Sequence, residues 1–166
     1  MTSTANGPAA DTNQSAQGDD PRLSFDQCWD LLASETVGRL GLVVDDHPEI
    51  FPVNYVLDNR TIVFRTGRGR KLWGAMAARP SVLEIDGYDP PSEEAWSVVV
   101  RGETQLIDDH DEVARVDSQG LQPWQPGSKD HYIRLTPRVL TGRRFKVNPP
   151  DVWTTRPNDA RRASFE

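Results

Sequence analysis

The sequence predicts a mainly β domain, a six-stranded antiparallel barrel with short helical covers. Three observations point there. Six segments rich in β-branched and aromatic residues are separated by Gly, Pro, Asn and Asp; three shorter segments have a helical pattern; and strand and helix do not alternate in the way that builds a parallel sheet. Closing such a sheet on itself leaves the fewest unpaired edges.

Taken in order, residues 1–20 are rich in Thr, Ser, Ala, Asn, Gln, Gly and Asp with no aromatic or branched aliphatic side chain, and are expected to be a disordered leader. The folded domain is expected over residues 23–146. Its first helix starts at Ser24, where Ser24 and Gln27 form a capping-box pattern and Phe25, Cys28, Trp29, Leu31 and Leu32 make an apolar stripe that covers one mouth of the barrel. Strand-like segments follow at 36–44, 50–57 and 61–66, joined by turns at Asp45 to Pro48 and at Asp58 to Arg60. A Gly- and Arg-rich turn leads to a short helix over Leu72 to Ala77, stopped by Pro80. Strands at 82–86 and 96–107 flank a Pro90-Pro91 loop. Residues 108–116 have helical composition, 120–127 form a Pro-rich loop, and 132–145 make a long last strand bent at Pro137. Residues 147–166, with Pro149, Pro150 and Pro157, are expected to be a tail in which Trp153 is the one residue equipped to dock.

Length and charge narrow the function. A chain of 166 residues with 36% hydrophobic content supports one domain, and a net charge of −6 argues against broad contact with nucleic acid. Cys28 is the single cysteine, so no intrachain disulfide forms. The amino terminus lacks a secretory pattern and no apolar run is long enough for a membrane helix, so a cytoplasmic protein without a membrane partner is expected.

Against that acidic background, residues 65–71 are a local exception. Arg65-Thr66-Gly67-Arg68-Gly69-Arg70-Lys71 puts four cations and two glycines between a strand end and a helix start. Free N–H groups at a helix start, glycines that allow close approach, and Arg and Lys donors suit one phosphate group; the plain alternative is a solvated charged turn. The pattern is neither a Walker loop nor a dinucleotide fingerprint. Asn54, on Pro52-Val53-Asn54-Tyr55, and Ser97, on Trp96-Ser97-Val98, are polar residues inside apolar strands: each either meets a ligand or faces solvent. A flavin ring, with a polar edge and an apolar face, would serve as such a ligand.

The ordered set from Val37-Gly38-Arg39-Leu40 through Pro52-Val53-Asn54-Tyr55, Phe64-Arg65-Thr66, Gly69-Arg70-Lys71-Leu72 and Trp96 to Gly102 to Thr141-Gly142-Arg143-Arg144 resembles the pyridoxamine 5′-phosphate oxidase-like flavin-binding split-barrel family, near its nitroimidazole-resistance-like and flavin or deazaflavin oxidoreductase branches. The resemblance implies a six-stranded split β-barrel of the FMN-binding type. It implies a homodimeric oxidoreductase with FMN at the subunit interface and a small planar substrate. It further implies that Arg65, Thr66, Gly69, Arg70 and Lys71 hold the phosphate, that Val53, Asn54 and Tyr55 lie along the ring, that Trp96, Ser97 and Val98 contribute to the ring pocket, and that Trp124 and Arg143 close the site. An 8-hydroxy-5-deazaflavin cofactor fits the same fold, with Arg68, Arg143 and Arg144 as candidates for its longer anionic tail, and haem or a non-catalytic storage role is a further alternative. The chain departs from the vitamin B6 oxidases themselves, which carry an Arg-x-His motif near the carboxyl terminus; no histidine follows Phe145.

The remaining chemistry-bearing residues read as structure. His47, His110 and His131 have no zinc-site spacing, and the acidic groups at 45–46, 93–94 and 108–112 fall in turns and at a helix start. Cys28 reads as a small packed hydrophobe, and most Trp and Tyr positions as core or dimer contact.

Overall fold

The computed structural model describes residues 21–77, 79–122, 124 and 127–147, so the leader and most of the tail, Trp153 included, lie outside the described residues. The elements are α1 (Phe25–Ser34), β1 (Val37–Val44), β2 (His47–Asp58), β3 (Thr61–Thr66), α2 (Arg70–Met76), β4 (Pro80–Asp89), β5 (Glu94–Ile107), α3 (His110–Asp117) and β6 (His131–Lys146). Every strand pair is antiparallel, and the sheet closes in the order β1-β2-β3-β6-β5-β4. β2 and β5 therefore lie on opposite walls.

The cap of α1 is reciprocal: Gln27 N donates to Ser24 Oγ at 3.2 Å, and Ser24 N donates to Gln27 Oε1 at 2.8 Å. Cys28 and Leu32 then enter the barrel core beside Leu40, Phe64, Leu83, Ile85, Val98, Val100, Ile133 and Leu135. Two turns are tighter than expected. Asp45-Asp46 and Asn59-Arg60 each hold both residues at positive φ, the conformation that matches the twist of a two-residue hairpin, so Pro48 lies within β2 rather than in the turn. Pro80, expected as a helix stop, opens β4, a position where its missing N–H is tolerated; α2 has already ended at Met76. The bend near Pro137 is a bulge opposite Arg101 and Gly102. A Cβ on Gly102 would lie 2.1 Å from the Thr136 carbonyl oxygen, so that approach requires glycine.

A second core of Val63, Ile107, Val116, Leu121 and Tyr132 seats α3 against the outside of the barrel. An ion cluster fastens it. Asp58, 5% exposed at the end of β2, accepts from Arg115 and, at 2.6 Å, from Arg134, which also meets Glu112 at 2.6 Å. Burial acts to raise the Asp58 pKa, but the hydrogen bonds and charges of the two arginines outweigh it and hold the carboxyl below its ordinary range.

Candidate functional site

β3 ends at Thr66, and the chain turns through Gly67 and Gly69 into α2. Gly69 sits at φ 141°, a conformation reserved for glycine, although nothing crowds it. Gly67 is required by space instead: a Cβ there would lie 2.6 Å from the Ser128 carbonyl oxygen. The two glycines thus shape the turn and draw the 127–129 stretch against it. α2 is only seven residues long, so side-chain cations must supply most of the attraction for an anion.

Beside this turn lies a cavity of about 750 Å³. It brings together Val53, Asn54, Thr66, Gly69, Arg70, Lys71 and Trp124 of the candidate residues, and adds Val37, Phe51, Pro52, Gly67, Arg68 and Lys129. No carboxylate is among these residues. Lys71 Nζ lies 5.6 Å from the centre of the Phe51 ring, and burial first, then the neighbouring Lys129 charge, hold its ammonium below the usual lysine range. A desolvated lysine facing a second cation across a cavity is arranged to meet an anion. Arg68 is exposed and forms no ion pair among the described residues, whereas Arg70 is bound to Glu49, with Asp45 at 3.9 Å. Also lining the cavity, Trp124 N donates to Asn54 Oδ1 at 2.9 Å, and the Trp124 residue is 76% exposed.

The other candidate residues stand elsewhere in the single chain. Arg65 lies on the strand side that faces α3: its Nε donates to the Lys129 carbonyl at 2.9 Å, its guanidinium reaches Asp117 at 3.3 Å and it stacks 4.8 Å from the Tyr132 ring centre. It braces the segment that carries Lys129. Strand alternation turns Tyr55 inward, where its hydroxyl donates to the Leu32 carbonyl at 2.8 Å and where burial, then the Glu35 charge, push its pKa far up. Val98 is likewise in the core, and Trp96 packs on Gly87. Ser97 and Arg143, paired across β5 and β6, line a second groove of about 400 Å³ with Arg22, Val99, Arg101, Thr141 and Gly142, on the opposite wall. Among the described Trp and Tyr residues, Tyr55 and Tyr132 are buried, while Trp73, Tyr88 and Trp124 are exposed on the single chain.

Lys129 and Phe51 were not among the sequence candidates. Phe51 reads as one more apolar strand residue, and Lys129 lies far along the chain from the turn it faces, 64 positions from Arg65, brought there by the Gly67 approach and the Arg65 bond. Among the described residues no cluster of His, Cys, Asp and Glu is placed to hold a metal, and no helix is long and apolar enough to cross a membrane.

Comparison with known proteins agrees with this architecture. The family model for pyridoxamine 5′-phosphate oxidase matches residues 24–144. The FAD binding protein from Mycobacterium smegmatis is 40% identical, with 76% of this chain and 99% of that chain covered at a TM-score of 0.67. An uncharacterized protein of Mycobacterium tuberculosis is 32% identical over 130 residues, 74% of this chain and 84% of its own. The FAD and heme binding protein from Mycobacterium smegmatis, 14% identical with a TM-score of 0.61 over 89% of this chain and 82% of that one, shares the fold. The closed six-stranded barrel with its three helices is thus a split barrel, and the chain belongs to the pyridoxamine 5′-phosphate oxidase family.

Proposed function

We propose that this protein is a homodimeric flavin-dependent oxidoreductase that seats the phosphate end of its cofactor at the Thr66 to Lys71 turn and acts on a small planar substrate. The observation that carries the reading is the cavity in which Lys71, Lys129 and Arg68 face a common space with no carboxylate among the lining residues. Its volume of about 750 Å³ falls within the usual span for small-molecule sites, and its mix of Val37, Phe51, Pro52 and Val53 with a few fixed polar groups is the composition that a ring with one polar edge requires. Lys71 and Arg68 would neutralise the phosphate, Thr66 and the glycine turn would bring backbone close to it, and Asn54 would meet the ring edge.

A bound flavin supplies hydride and electron transfer itself, which is why the protein needs no nucleophile of its own. The chain's part is to bind, orient and keep water from the ring. The groove of Ser97, Arg101, Thr141 and Arg143 lies on the opposite barrel wall, so it reaches the same ligand only from a second copy. That placement supports a site built across two protomers.

FMN is the first expectation for the cofactor. FAD is the second, supported by the 40% identical relative that binds it. The test is to unfold purified protein and identify the released small molecule by absorbance and mass: FMN or FAD at a stoichiometric level supports the reading. A colourless preparation that also fails to take up either flavin on titration contradicts it. Reoxidation of the reduced protein by a planar acceptor no faster than that of free flavin would leave binding but remove catalysis.

A further inference from the structure

Asn54 holds an amide whose orientation is fixed by its neighbour. A backbone N–H can only donate, so the Asn54 atom 2.9 Å from Trp124 N is necessarily the amide oxygen. The NH₂ end of that planar group is thereby committed to the other side, and among the described residues it has no hydrogen-bond partner. Val53 and Tyr55 on either side are buried inward, so strand alternation puts Asn54 on the outer face of β2, where it lines the cavity. A primary amide held this way has both N–H donors unused at the cavity wall, while its oxygen already accepts one bond.

Resting on the flavin reading, we propose that Asn54 is a specificity-determining residue: its NH₂ donates to a carbonyl or unprotonated ring nitrogen of the cofactor's heterocycle, while its oxygen holds Trp124 beside the cavity. One planar group performs both tasks, so they are coupled. A ligand acceptor that draws on the NH₂ polarises the amide and strengthens the bond from Trp124 N–H. Ring recognition therefore tightens the hold on Trp124.

The two tasks separate by substitution. Asn54→Asp keeps an oxygen for Trp124 N–H and loses the NH₂; Asn54→Ala loses both. Hydrogen–deuterium exchange at the Trp124 amide, measured without added ligand, reads the tether. Titration with FMN and with FAD reads the donor. The expected result is slow Trp124 exchange in wild type and Asn54→Asp but about tenfold faster exchange in Asn54→Ala, with affinity for the flavin that wild type binds lowered about tenfold in both variants. Wild-type affinity in Asn54→Asp would overturn the donor role while leaving the proposed function standing, and unchanged exchange in Asn54→Ala would overturn the tether. A wild-type protein that binds neither flavin would overturn the proposed function and the donor role together, with the exchange result still deciding the tether.

Discussion

Lys71 and Arg70 are sequence neighbours with the same formal charge, yet their surroundings assign them different work. Arg70 is exposed and its charge is already matched by Glu49, so Arg70→Ala should leave flavin affinity nearly unchanged. Lys71 is half-buried, stacked on Phe51 and opposed by Lys129, and Lys71→Ala should weaken FMN binding by about 1.5–3 kcal/mol, the range for a charge-assisted hydrogen bond; fluorescence-quenching titration checks both variants. Because burial holds the Lys71 ammonium below the usual lysine range and the charged form binds the anion, affinity should fall at lower alkaline pH than an ordinary lysine would give, and Lys71→Arg should abolish that early fall. Arg65 differs again. The sequence places it in the phosphate turn, but its bonds run to the Lys129 carbonyl and Asp117. Arg65→Ala should therefore cost about 1–2 kcal/mol of stability in urea denaturation and affect the ligand only through Lys129.

At the scale of elements, the site depends on how closely the β3–α2 turn meets the 127–129 stretch. Gly67→Ala would force a Cβ against the Ser128 carbonyl, a backbone atom that cannot rotate away, so flavin affinity should drop while the far-ultraviolet circular dichroism spectrum stays as in wild type. A distant clasp has a separate signature. Asp58→Asn should destabilise the domain by about 3 kcal/mol by leaving Arg134 and Arg115 without their buried carboxylate. The sign of its pH dependence follows from a folded pKa below the unfolded one: this stabilisation is present above about pH 4 and is lost as pH falls through the folded value, so the acid limb of a stability profile should flatten in Asp58→Asn. The elements themselves were legible in sequence because period-two strands and the Ser24–Gln27 cap are local signals. What was not legible depended on contacts made at a distance: whether Arg65 faces the cavity or α3, that Lys129 folds across to Lys71, and that Tyr55 turns inward to the Leu32 carbonyl.

On the scale of the whole molecule, ring closure puts the Lys71–Lys129 cavity on one wall and the Ser97–Arg143 groove on the other, so a single chain presents them facing apart. The family resemblance named residues of both; composition and spacing had no means to say that they belong to different walls. If the proposed site is shared between copies, the protein should sediment as a dimer, and a mixture of Lys71→Ala with Arg143→Ala, unfolded and refolded together, should regain a fraction of sites with wild-type flavin affinity that neither variant shows alone. A monomer that binds flavin at wild-type strength would contradict the shared site.

Phosphorus nuclear magnetic resonance of FMN added to the protein tests the central assignment most directly, because it observes only the end of the ligand that the Thr66 to Lys71 turn should hold. Cations around that phosphate should shift its resonance and keep it dianionic below the pH of about 6 at which a free phosphate monoester takes up its second proton. Lys71→Ala should move that titration back toward the free ligand. Bound FMN whose phosphate titrates as it does in water, unaltered by Lys71→Ala, would contradict the account.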